Sequence, residues 1–196
     1  MSRPLSRDVV HGGLGFTVVS VAAFSVWAFA APLFRGLGGE PGMYAAIAAV
    51  FLAGSGLLLG PIAGGMGRFY KAFLPAFLAY AILWCAAWFG LGGRLGEWTG
   101  AAVGCLAFAW IVSRLHGRGG PWLTAAAALF VLHSAGYFAG DWSMYDVFVP
   151  KARAVGRESA DFQHYMMLAK LSWGLFYGLG FGAGIGWVFH ASRRVS

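Results

Sequence analysis

Long apolar blocks alternate along this chain with short clusters of charge and turn residues. A helix needs about 20 mostly apolar residues to cross the hydrocarbon core of a bilayer. Cutting the sequence at its charges and turns predicts six such helices. They run from about Val9 to Phe34, Gly42 to Gly65, Ala72 to Leu91, Trp98 to Ser113, Pro121 to Gly140, and Leu171 to His190. The fourth block is short, which suits a locally thinned bilayer or snorkelling ends. A five-span arrangement, with that block only partly inserted, is the alternative. The stretch 141–170 mixes both signs of charge and contains Pro150, so it reads as an outer loop with a short interfacial helix near Ser159 to Met167. The predicted fold class is all-α: a polytopic membrane protein with six transmembrane helices in one compact bundle, forming a single domain.

The charges orient this bundle. Arg3 and Arg7 precede the first block, Arg68 and Lys71 separate the second from the third, Arg114 and Arg118 separate the fourth from the fifth, and Arg193 and Arg194 follow the sixth. Between the other blocks, basic residues are matched by acids: Arg35 with Glu40, then Arg94 with Glu97. Unmatched basic segments stay in the cytoplasm, so both termini are expected there. Trp98, Trp122, Trp142 and Trp187 fall near block ends, where an aromatic belt belongs. The first apolar block is too long for the core of a signal peptide and is expected to remain as a span.

Composition narrows the class. Hydrophobic residues make up 59% of the chain and charged ones 11%, against about 25% charged in soluble domains. That excludes an ordinary soluble globule. The net charge of +7 does not point to nucleic acid, because the basic residues are scattered rather than gathered in a stripe. Short loops and Ala/Gly-rich composition suggest a multi-pass protein of a prokaryotic cytoplasmic (inner) membrane.

Chemistry is sparse. The sequence holds no HExxH, no phosphate loop, no Ser-His-Asp arrangement and no acid in the middle of a span. Activating a nucleophile or a water needs such groups, so neither an enzyme nor a bound cofactor is expected. Cys85 and Cys105 lie inside apolar blocks and read as buried thiols or as a disulfide between spans.

The last block, "SWGLFYGLGFGAGIGWVFH", is crowded with glycine. Gly174, Gly178, Gly182 and Gly186 recur every four residues on one helix face, and Gly180 and Gly184 form an adjacent line. Small residues at this spacing, a glycine zipper, let helix backbones approach closely in lipid. Two arrangements satisfy the pattern: tight packing on neighbouring helices, or a smooth groove for a lipid flanked by Phe176, Tyr177, Phe181 and Trp187. In the fifth block His133, Tyr137 and Asp141 share one face. Ionisable groups inside a membrane face a partner or a cavity, so His133 reads as a bond to another helix or as a contact to a ligand's polar head. His164 is the outer-side residue that a haem ligated by His133 would need. His11, His116 and His190 read as headgroup contacts. Tyr80, Trp84 and Trp88 line one face of the third block, as packing or as a ligand wall.

Three stretches carry a family resemblance: "GCLAFAWIVSRLHGRGGPW", "LFVLHSAGYF" and "LSWGLFYGLGFGAGIGWVFH". Together, over roughly Arg68 to His190, they resemble the Insig (insulin-induced gene) family of membrane proteins. The resemblance implies a non-enzymatic six-helix protein that binds a sterol-like lipid among its helices and holds partner membrane proteins. This chain departs from the family's pattern at Ser113, where the family has an acid beside the Arg-rich turn, and in the length of the segment before the last span. In a prokaryotic membrane the expected occupant is a glycerolipid or an isoprenoid. The expected ligand-binding residues are Trp84, Trp88, His133, Tyr137, Gly174, Gly178 and Gly182. The expected partners are a membrane lipid, a membrane protein and a second copy of the chain. The alternatives are a small-molecule or ion transporter, whose polar path would use Thr17, Ser20, Ser25 and Ser55, and a haem-binding redox subunit.

Overall fold

The computed structural model describes residues 4–117 and 121–193. Arg3, Arg118 and Arg194, three of the residues used to orient the chain, lie outside them. The described residues are helical almost throughout. Helix α1 spans Leu5–Ser25 and continues through a π turn (Val26–Ala30) and a 3-10 turn (Ala31–Arg35). Helix α2 spans Gly39–Leu59, α3 Met66–Leu91, α4 Gly93–His116 and α5 Trp122–Trp142. A π turn over Ser143–Phe148 joins α5 to α6 (Val149–Val155), and α7 spans Ala160–Ala191.

Five helical rods are long and apolar enough to cross a membrane, those beginning at Leu5, Gly39, Met66, Gly93 and Trp122. A sixth rod, α7, is 32 residues long, but its glycines dilute its hydropathy. The chain is therefore a helical integral membrane protein. The fourth helix is not short: it starts at Gly93 and runs 24 residues, about 36 Å at 1.5 Å per residue. The sequence cut lost its first turn to Arg94 and Glu97, an ion pair at 3.1 Å in which the Arg94 side chain is exposed and that of Glu97 largely covered.

The outer loop expected over 141–170 is corrected to helix. The fifth rod continues to Val155, and α7 already begins at Ala160, capped by the Ser159 hydroxyl accepting from the Asp161 N–H at 3.2 Å. Only the short connection at Gly156 breaks the helices, with φ +82°, a conformation open chiefly to glycine. Charge misled the sequence reading here. Asp146, Lys151 and Arg153 suggested a solvated loop, but Met144, Val149 and Ala152 form a buried stripe against Ala169 of α7, with Trp27, Met166 and Trp173 around it. The rod is simply longer than a bilayer is thick.

Helix α7 is the axis of the bundle, and its two glycine lines meet different neighbours. On the first, an added Cβ at Gly174 would lie 3.0 Å from Phe24 Cβ, at Gly178 2.6 Å from Thr17 Cα, and at Gly182 2.5 Å from Phe16 Cβ, all on α1. On the second, an added Cβ at Gly180 would lie 2.8 Å from Gly136 Cα and at Gly184 3.0 Å from Leu129 Cα, both on α5. Backbone meets backbone on both sides, which is how helices associate without a hydrophobic drive. A third line, Gly96, Gly100 and Gly104 of α4, packs on Trp88, Trp84 and Tyr80 of α3. The sequence reading passed over it, although its four-residue spacing is the same signal.

Consecutive long rods run in opposite directions. Asp8 at the start of α1 meets His190 and Arg193 at the end of α7, and Arg193 donates to the Ile62 carbonyl at the α2–α3 connection. At the opposite end Arg94 of α4 bonds Asp141 of α5 at 2.9 Å. The chain's two described ends therefore lie together.

Candidate functional site

Helix α2 touches α3 near one end and leaves it along the rest. The contact is Tyr70, whose hydroxyl donates to the Leu52 carbonyl at 2.7 Å and the Ala53 carbonyl at 3.2 Å. Its ring lies against Gly56, where any side chain would collide. Farther along, the same faces stand apart around a cavity of about 500 Å³. Tyr44, Ile47 and Phe51 of α2 form one wall at helical spacing. Phe77, Tyr80, Ala81, Trp84 and Cys85 of α3 form the opposite one. Phe24 and Trp27 close it from the first rod, Tyr137 and Tyr145 from the fifth, and Trp173 and Tyr177 from α7.

Eleven of these fourteen lining residues are aromatic and none carries a charge. Such a wall takes apolar or flat matter and excludes an ion. Tyr80 and Tyr137 are buried, whereas Tyr44, Cys85 and Tyr145 are exposed. The deep end is thus at the bundle centre, and the mouth lies between the start of α2 and the later half of α3. There the cavity is open to the surface of the bundle, beside the exposed Tyr44, Cys85 and Tyr145.

The expected site residues separate into three groups. Trp84 and Tyr137 are in the wall, with ring centres 5.9 Å apart. Trp88 stacks on Trp84 at 6.0 Å on the outer side, is 40% exposed, and lines no part of the cavity. His133 stands behind the wall. It is fully buried, its Nε2 hydrogen-bonded to the Tyr80 hydroxyl at 2.6 Å, and the rings around it are those of Tyr80, Tyr137, Tyr177 and Phe181. A ligand in the cavity would meet Tyr80 and Tyr177, not the imidazole. Gly174, Gly178 and Gly182 face α1, so the lipid groove expected on them is corrected: their lack of side chains is used up by packing.

Other expectations shift as well. His190 meets the Asp8 carboxylate at 2.7 Å rather than a headgroup. His116 packs its ring on Phe189, and His11 Nε2 lies 2.7 Å from the Leu58 carbonyl, to which it can only donate. His164 is exposed near the start of α7, beside Tyr165. Both cysteines are free thiols, Cys85 at the cavity wall and Cys105 buried. Among the described residues no three His, Cys, Asp or Glu side chains gather as a metal site.

Of the Tyr80, Trp84 and Trp88 stripe read from the sequence, Tyr80 and Trp84 line the cavity, while Phe77, Ala81 and Cys85 of the same wall were not singled out as lining it. Sequence reasoning also missed Phe24, Trp27 and Tyr44, which carry no motif and face the cavity only because α1 and α2 fold back there. Fold and cavity together define a helical integral membrane protein with an aromatic-lined cleft between α2 and α3. No family model, curated protein or solved structure matches the chain.

Proposed function

We propose that this protein is a non-enzymatic, six-span membrane protein that binds a lipid in the aromatic cavity, with both termini in the cytoplasm of a prokaryotic cell. The observation that carries the reading is the cavity: uncharged, walled by aromatic rings, about 500 Å³, and lined by facing residues of α2 and α3. Binding pockets of this kind are mostly apolar, with a few polar groups that orient the ligand. Here Tyr80 and Tyr177 supply those groups at depth, and His133 holds Tyr80 in place. Trp84 and Tyr137 form the flanks. The Insig-like motifs and the basic residues shared by one end of the bundle support the same reading. The glycines contribute by holding α1, α5 and α7 close enough to fix the chamber's back wall.

The test is the lipid itself. Protein extracted in mild detergent carries co-purified lipid visible by native mass spectrometry. Ala81→Trp, which fills the wall of the chamber, lowers the bound fraction about tenfold, equivalent to 1.4 kcal/mol, while the protein stays monodisperse. Empty wild-type protein, or an Ala81→Trp variant that is equally loaded, defeats the reading. Substrate flux through liposomes would favour a transporter instead.

A further inference from the structure

We propose that the cavity's lipid carries a phosphate and that Lys170 holds this phosphate at the cavity rim. The inference rests on the lipid-binding reading above and adds the chemistry of the ligand's head and its direction of entry.

Lys170 is on α7, one turn before Trp173 of the cavity wall. Its ammonium lies 4.8 Å from the centre of the Trp27 ring, another wall residue, and donates to the Trp27 carbonyl at 3.2 Å. Trp27 lies in the π turn that follows α1. The acceptor's partner five residues on would be Pro32, which has no N–H to offer. The structure thus positions the ammonium by a carbonyl bond and a ring contact, both to Trp27 of the chamber wall.

The ammonium lacks a counter-charge. Among the described residues the ion pairs join Arg94 to Glu97 and Asp141, and Asp8 to His190 and Arg193; none includes Lys170. An ammonium has three protons to donate, and the Trp27 carbonyl uses one. A half-buried cation beside an apolar chamber is costly unless an anion meets it. The chamber has no charged lining of its own, so a ligand's charge belongs outside and its apolar chain inside. A phosphate on an apolar chain satisfies both demands: the chain runs inward to Tyr80 and Tyr177, and the phosphate stays at Lys170. A glycerophospholipid and a polyprenyl phosphate share that chemistry.

Cys85 provides the readout. It is exposed and in the cavity wall, whereas Cys105 is fully buried. An occupant therefore slows maleimide labelling of Cys85. Delipidated full-length protein is titrated with phosphatidylglycerol, a polyprenyl phosphate and phosphatidylcholine, whose phosphate is balanced by its choline. Both net anionic lipids protect Cys85 at about tenfold lower concentration than phosphatidylcholine, a 1.4 kcal/mol preference. Whichever is tighter identifies the source of the phosphate. Lys170→Gln brings the ratio close to one, Lys170→Arg keeps it, and Lys151→Gln, which removes an exposed cation over Phe148, leaves it unchanged. If wild-type protein shows no anionic preference, or Lys170→Gln retains it, the inference is overturned while lipid binding stands. If no lipid protects Cys85 at all, the lipid-binding reading fails with it. Absence of the wild-type preference overturns the inference even if Lys170→Gln does not fold, and the folded Lys170→Arg protein, which keeps the charge, must then keep the preference.

Discussion

Asp8 in the first turn of α1 and His190 in the last turn of α7 meet at 2.7 Å across 182 residues of sequence. Arg193 reaches the same carboxylate at 2.7 Å and also donates to the Ile62 carbonyl. The Asp8 side chain is 1% exposed, its two partners 29% and 27%. One buried carboxylate therefore ties together the start of the first rod, the α2–α3 connection and the end of the last rod.

Removing that carboxylate leaves the Arg193 guanidinium and the His190 ring without their shared acceptor at the end of the bundle. Breaking a buried ion pair from one side costs about 3–5 kcal/mol. Because the remaining partners are partly solvated, Asp8→Ala is expected near the low end, about 3 kcal/mol. Denaturant titration in detergent micelles, followed by tryptophan fluorescence, measures it. A midpoint unchanged from wild type would show that the cluster is not a staple.

The glycine lines predict opposite outcomes for similar changes. At Gly178 a side chain would drive into Thr17 and Ser20 of α1. Gly178→Leu is therefore expected to abolish the monodisperse bundle, not merely to weaken ligand binding. At Gly67, inside α3, an added Cβ meets nothing within 4 Å. Gly67→Ala is expected to stabilise by roughly 0.5–1 kcal/mol from helix propensity. Size-exclusion profiles and thermal stability distinguish the two.

The Tyr80–His133 bond at 2.6 Å is wholly buried. Tyr80→Phe leaves the imidazole nitrogen without its partner, at a cost of about 1–3 kcal/mol. His133→Phe leaves the hydroxyl facing the chamber and Tyr177, where it retains a polar neighbour. The double variant is expected to be less destabilised than the sum of the two, with a coupling of about 1 kcal/mol. A double-mutant cycle with additive effects would remove His133 as the group that positions Tyr80.

The two thiols report the chamber's geometry directly. Native, lipid-free protein is expected to take one maleimide, at Cys85, and a second, at Cys105, only on denaturation. Intact mass spectrometry counts the labels. Early modification of Cys105, which is fully buried among Phe and Ala side chains, would mean that the α3–α4 packing opens.

Much of the fold was legible because membrane insertion leaves a one-dimensional record. Apolar length and charge placement determine where the helices lie, and they marked out the spans from Val9 to His190 and the basic residues at one end. The record fails where helices outlast the bilayer. The segment from Asp141 to Val155 is polar on one side and packs Met144, Val149 and Ala152 on α7 with the other, so its charges read as a loop. It fails again for partners. The spacing of Gly174, Gly178 and Gly182 announced a close approach but not what approaches, because a backbone-to-backbone crossing and a lipid groove require the same absence of side chains.

The sequence by itself determined that this is a helical membrane protein, which faces of α3 and α7 carry aromatics and glycines, and that ionisable groups are rare in its interior. Only the tertiary structure decided that the glycines belong to α1 and α5, that Tyr80 stands between His133 and the cavity, and that Lys170 meets Trp27 from 143 residues away. Periodicity along one helix specifies a face. A cavity needs faces from several helices at once, and their relative rotation and separation are set by packing between segments far apart in the chain.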